Sequence, residues 1–154
     1  MKALLALLIF IFSPLTQAQV CTYHQLVALK DITNCAERGD RIAQYMIGQI
    51  YFLGKEVPLN YEKSFRWTFK SAQQGDKDAQ AQLGFDYYNG WGVKKDHVLA
   101  YMWWSLSKVN NDNQIMNDYL ASLESELTKD QLTKAQNMAS NWLTKYQSIN
   151  GSGY

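Results

Sequence analysis

Apolar side chains recur three and four residues apart along most of this chain, the spacing that holds them on one face of an α-helix. Residues 40–53 carry Ala43, Ile47, Gly48 and Tyr51 on such a face, and residues 76–89 repeat it with Ala79, Leu83, Gly84 and Tyr87. Each segment runs into a glycine, Gly54 or Gly90, where a helix stops in the left-handed conformation. After a short turn, Asn60 and Asp96 stand at N-cap positions, their side-chain oxygens able to accept from exposed backbone N–H groups. They predict second helices over 61–74 and 97–109, the first closing at Gly75 and the second in the polar turn 110–113. Upstream, residues 25–38 place Leu26, Leu29 and Ile32 in the second-helix frame. Downstream, residues 115–127 present Met116, Tyr119, Leu120, Leu123 and Leu127 at helical spacing. Thr128-Lys129-Asp130-Gln131 then has the pattern of a capping box. The helix it opens carries Leu132, Ala135, Ala139, Trp142, Leu143 and Tyr146. The pattern predicts six or seven helices and a frayed tail over 149–154.

These helices repeat. Shifting the chain by 36 residues aligns Ala43-Gln44 with Ala79-Gln80, Gly48 with Gly84, Tyr51 with Tyr87 and Gly54 with Gly90. Val57 falls on Val93, Trp67 on Trp103, and Ala36, Gly39 and Asp40 on Ala72, Gly75 and Asp76, without a gap. The expected units are 43–78 and 79–114, followed by C-terminal capping helices over 115–147. Two such units expose apolar faces that flanking helices must cover, so 19–148 reads as a single domain.

The first residues do not belong to that pattern. Lys2, the unbroken apolar run 3–12, Ser13-Pro14 and the small residues Thr16 and Ala18 have the form of a secretory signal cleaved after Ala18. The run is too short for a bilayer, which needs about 20 residues. No small residue immediately precedes Cys21, so lipidation is not expected. Loss of the leader removes Lys2 and leaves 14 basic residues against 14 acidic ones. A formally neutral chain lacks the basic footprint of a nucleic-acid binder, and no basic cluster suggests a membrane surface. The expected location is the periplasm or the medium. Export to an oxidising compartment makes a Cys21–Cys35 disulfide a candidate. On one continuous helix the two would lie about 21 Å apart, whereas a bridge needs Cα atoms within about 7 Å. A bond therefore requires the chain to double back, near residues 30–33; two free thiols are the alternative.

Gly48, Tyr51, Gly54, Val57 and Asn60, and again Leu83-Gly84, Tyr87, Gly90-Trp91-Gly92-Val93 and Asp96, resemble the SLR (Sel-one-like repeat) pattern. The resemblance covers residues 36–112, about half the chain, and the Gly-x-Gly-Val turn is its most specific part. It departs in the first unit, where Glu56 replaces the glycine of that turn and Ser64 a usual alanine. Residues 128–143 resemble the helix that closes such arrays. The family implies an all-α fold, a short right-handed α/α solenoid of antiparallel helix pairs with capping helices at both ends. It also implies a role as adaptor, regulator or inhibitor of another protein. Some small exported bacterial members are immunity proteins that neutralise toxic phospholipase effectors. Some cysteine-rich members are linked to β-lactam binding or hydrolysis, but those carry a disulfide within each repeat, and no Ser-x-x-Lys motif occurs here.

Catalytic chemistry finds little support in the residues. The glycines at 84, 90 and 92 follow a helix, and Lys94-Lys95 is followed by Asp96 rather than Ser or Thr, so this is no phosphate loop. They answer to helix packing and a tight turn instead. His24 and His97 lie in different units without ligands at zinc spacing, and His97 is expected to be solvated. No HExxH, GxSxG or CxxC occurs. The expectation is a non-enzymatic protein without metal or cofactor. Tyr51, Tyr87, Trp67 and Trp103 recur in register and are expected to be core wedges. Partner contacts are expected where the units differ on the first-helix face of a solenoid: Tyr45, Gln49, Phe52, Gln82, Phe85, Asp86 and Asn89. Trp91 and Trp104 join them because they replace Lys55 and Thr68 of the first unit, and Trp is a residue type that dominates binding hot spots.

Overall fold

The computed structural model describes Cys21, residues 28–109 and residues 114–151. The leader, His24 and the turn 110–113 lie outside the described residues. Seven helices are present among the described residues: α1 (Leu29–Glu37), α2 (Arg41–Leu53), α3 (Tyr61–Gln73), α4 (Lys77–Asn89), α5 (His97–Lys108), α6 (Gln114–Glu126) and α7 (Lys129–Asn150). Local chemistry sets most boundaries. Asp40, Asn60, Asp76 and Asp96 each accept a hydrogen bond from the backbone N–H three residues on, at 2.8–3.0 Å. Thr128 and Gln131 form the reciprocal capping box that opens α7. Each such cap stabilises its helix by about 1 kcal/mol.

Consecutive helices from α1 to α5 pack side by side, and α7 lies along α5. The result is a short α/α solenoid. The repeated Ala-Gln pair has a structural meaning. Gln44 Nε2 donates to the Ala36 carbonyl (3.1 Å), and Gln80 Nε2 donates to the Ala72 carbonyl (3.3 Å). Both amides are buried and satisfy carbonyls in the last turn of the preceding helix, which joins each unit to the one before it. The repeated helix glycines answer to packing. A Cβ on Gly84 would lie 2.1 Å from the Trp104 ring, and one on Gly48 would lie 2.6 Å from Thr68 Oγ1. Gly92 meets two demands at once: its φ is +69°, and a Cβ there would lie 2.1 Å from the Tyr61 carbonyl oxygen. Glu56 holds the equivalent turn position in the first unit with φ 64°.

Several expectations need correction. The Cys21–Cys35 disulfide is formed with Cα atoms 6.0 Å apart, but residues 30–33 lie inside α1, so the chain does not reverse there. α7 runs to Asn150, so residues 149 and 150 are helical rather than part of a tail. His97 is not simply solvated: it stacks on Tyr88, and its Nδ1 lies 3.3 Å from Glu126 Oε2. The repeated tryptophans also fare differently. Trp103 is buried between Phe69 and Trp142 of α7, whereas Trp67 is half-buried and covered by Lys70 Nζ at 4.1 Å from its ring centre. The second unit has α7 to bury its wedge, and a lysine stem shields the first.

Candidate functional site

α2 and α4 present the side of the stack that is not taken up by their α3 and α5 partners. On α2 this face carries Ile42 and Leu53, each just over half exposed, with half-buried Tyr45, Gln49 and Phe52 between them. On α4 it carries half-buried Gln82 and Phe85 and exposed Asn89. Two different seams cross it. Between α2 and α4 the seam is polar: Gln49 Nε2 donates to Gln82 Oε1 (3.3 Å), and Gln82 Nε2 donates to Asp86 Oδ1 (3.0 Å). Between α4 and α6 it is aromatic, with Phe85 edge-on to both Trp104 (5.1 Å) and Tyr119 (5.0 Å). Asn89 Nδ2 donates to the Phe85 carbonyl (2.9 Å) at the end of α4.

Two of the residues expected to meet a partner are interior. Trp104 is 1% exposed; it lies over Gly84 and donates from Nε1 to the Ala81 carbonyl (3.2 Å). Its difference from Thr68 is therefore a packing difference. In the second unit the tryptophan reaches Tyr119 of α6 (5.4 Å), a cap that the first unit does not face. Asp86 is likewise 1% exposed. Burial pushes its carboxyl up to about 7 despite the opposing hydrogen bond from Gln82, and Oδ2 has no hydrogen-bond partner. Trp91 is intermediate: it stacks on Tyr61 (6.0 Å) and meets Phe52 edge-on (5.2 Å). It ties the turn after α4 to the first unit and still has an accessible edge. The remaining expected residues stay on the open face.

Carboxylates and the Arg41 guanidinium share one end of this face, and both act on Asp76 or its neighbours. The Tyr45 hydroxyl is pushed up to about 12, first by burial and then by the carboxylates of Asp78, Asp76 and Asp86. Among the described residues no group of three or more His, Cys, Asp and Glu side chains is arranged to hold a metal ion. Nor is any described helix long and apolar enough to cross a membrane. The arrangement offers apolar side chains, amides and negative charge to another macromolecule.

Antiparallel helix pairs stacked at a fixed period, joined by buried glutamines and covered by the long α7, define a short α/α solenoid. The Sel1-repeat family model matches residues 41–76 and 77–108, and the chain is a Sel1-like repeat (SLR) protein. Among solved structures it is similar to c5321, described as a protective antigen present in uropathogenic Escherichia coli strains that displays an SLR fold. The identity is 30% and the TM-score 0.73, over 80% of this chain and 26% of that one. It is also similar to a Sel1 repeat protein from Oxalobacter formigenes, at 33% identity and TM-score 0.58, over 61% of this chain and 27% of that one. The chain spans about a quarter of the length of either structure. No curated protein matches it. Sel1 repeats are generally protein–protein interaction modules.

Proposed function

We propose that the protein is an exported scaffold that binds another protein through the open face of α2 and α4 and acts as adaptor, regulator or inhibitor. The observation that carries this reading is the mismatch between the two units on that face. Ile42, Gln49 and Leu53 of the first unit become Asp78, Phe85 and Asn89 of the second, although buried Ala43, Gln44 and Gly48 beside them are kept as Ala79, Gln80 and Gly84. Ile42 and Leu53 add just over half-exposed apolar surface to this face, and apolar side chains at a mixed polar surface suit a protein interface. The apolar leader and the disulfide support export, because disulfides persist in oxidising compartments.

Site-specific photo-crosslinking tests the assignment of the face. A photoreactive residue placed at Ile42 or Asn89 is expected to give a discrete crosslinked species in cells. The same residue at Arg66 or Lys70, on exposed positions of α3, is expected to give none. Crosslinks from α3 alone would overturn the proposal.

A further inference from the structure

We infer that Asn150 is a site of spontaneous covalent modification: its side chain deamidates through the backbone nitrogen of Gly151, while the fold withholds the same reaction from Asn89 on the open face. Asn-Gly occurs twice in the chain, at 89–90 and at 150–151. A glycine after asparagine has no side chain to shield its nitrogen, which makes this pair especially open to the reaction. The glycine nitrogen gives up its proton and attacks the asparagine Cγ; the Cγ–Nδ2 bond breaks, and Nδ2 leaves as ammonia. Water then opens the resulting five-membered imide at either carbonyl, giving aspartate or isoaspartate. The sequence of steps consumes water and releases ammonia, with no change of oxidation state.

The asparagine side chains do not separate the two sites. Each is exposed and is the last residue of its helix, α4 or α7. Each Nδ2 donates to the carbonyl four residues earlier, that of Phe85 (2.9 Å) or Tyr146 (3.0 Å). The glycine that must attack does separate them. The Gly90 N–H donates to the Asp86 carbonyl (2.8 Å), and the Trp91 N–H donates to the same oxygen (2.9 Å). Trp91 is held in turn by Phe52 and Tyr61 of the first unit. To attack, the Gly90 nitrogen must leave its acceptor and swing towards Asn89 Cγ, which the anchored turn resists. For the Gly151 N–H no comparable bond is present among the described residues, and a Cβ on Gly151 would meet nothing within 4 Å. A helix end with so few contacts opens readily, so Asn150 can reach the reactive geometry. The product alters its surroundings. A carboxylate replaces the donor to the Tyr146 carbonyl and adds negative charge at the negative end of the α7 dipole. Asn150 lines a cavity of about 390 Å³ together with Trp142, Lys145 and Tyr146, and the new charge enters that cavity.

The test is peptide mapping by mass spectrometry of the full disulfide-bonded protein held at pH 8, which follows both asparagines in one sample. The folded protein is expected to convert Asn150 at least about tenfold faster than Asn89, because a helix end opens more often than an anchored turn. In urea, with the disulfide kept, the two rates are expected to come within about threefold of each other, since neither glycine then has a fixed acceptor. Isoaspartate is expected beside aspartate at position 150, because direct hydrolysis of the amide gives aspartate alone. Equal rates in the folded protein, faster conversion of Asn89, an unmodified Asn150, or aspartate without isoaspartate would each overturn the inference. So would an Asn89 that stays slow in urea, because its protection would then come from its sequence neighbours rather than from the fold.

Discussion

Replacing Asp86 by asparagine is expected to stabilise the protein above pH 7 and to matter little in acid. The carboxyl is carried from an ordinary 3.8 up to about 7 because burial disfavours its charged form. Below pH 4 both the folded and the unfolded chain hold the proton, and the site has no pH-dependent effect. Between about pH 4 and pH 7 the unfolded chain loses its proton while the fold keeps it, so the folded state binds more protons and stability falls as pH rises. At about 1.4 kcal/mol per pH unit, the loss reaches about 4 kcal/mol once the folded carboxyl also ionises. Asparagine keeps an acceptor for Gln82 and has no charge to bury. Urea unfolding of both proteins at pH 5, 6.5 and 8, without reductant, reads the difference directly, because every other titrating group is shared. The stability of Asp86→Asn relative to the wild type is expected to grow from pH 5 to pH 6.5 and to level off towards pH 8. A difference that stays flat across that range would show that Asp86 ionises at its ordinary value, and the reasoning from burial would fail.

Three further outcomes follow from the geometry. Gly84→Ala drives a methyl group into the Trp104 ring and is expected to cost about 2 kcal/mol, overpacking outweighing the helix-propensity gain; thermal unfolding should show a clearly larger loss than Gly48→Ala, whose Cβ meets the Thr68 hydroxyl at 2.6 Å and the Thr68 and Ser64 backbone at 3.3 and 3.4 Å. Glu56→Gly relieves a non-glycine residue at φ 64° and is expected to raise stability by about 1 kcal/mol, visible as a higher Tm; no increase would mean that the Glu56 side chain stabilises the turn. Arg38 Nη2 donates to the sulfurs of Cys21 (3.1 Å) and Cys35 (3.4 Å), and a nearby cation favours the thiolate. Arg38→Gln is therefore expected to make the bond harder to reduce, by up to about tenfold in its equilibrium with glutathione, measured by thiol trapping and mass spectrometry.

The helices, their caps and the period were legible in the residues because each follows a short-range rule. Asp96 beside an apolar run, or Thr128 three residues before Gln131, identifies a helix start wherever the chain is later placed. Trp104 was not legible, because its burial depends on Gly84 in one helix and Tyr119 in another, and no local pattern joins the three. Asp86 was hidden by its own polarity, which suggests exposure. Its alignment with Ile50, one of the apolar positions packed against the N-terminal core, was the available signal that the position faces inward. The direction of α7 was likewise invisible: its apolar positions are evident, but nothing in them says that the helix runs along α5 and meets α6 through Leu132 and Ala135.

In a solenoid whose units touch only their neighbours, each unit can fold as soon as the next is made. α7 breaks that rule. The Tyr146 hydroxyl donates to the carbonyl of Gln74 (2.9 Å), 72 residues earlier, and its ring fills the space above Gly75 at the join between the two units. The junction is thus completed by almost the last residue with a described contact. A chain emerging N-terminus first leaves this junction uncovered until α7 arrives. Truncation within α7 would uncover the junction at Gly75 and the α5 face that α7 covers.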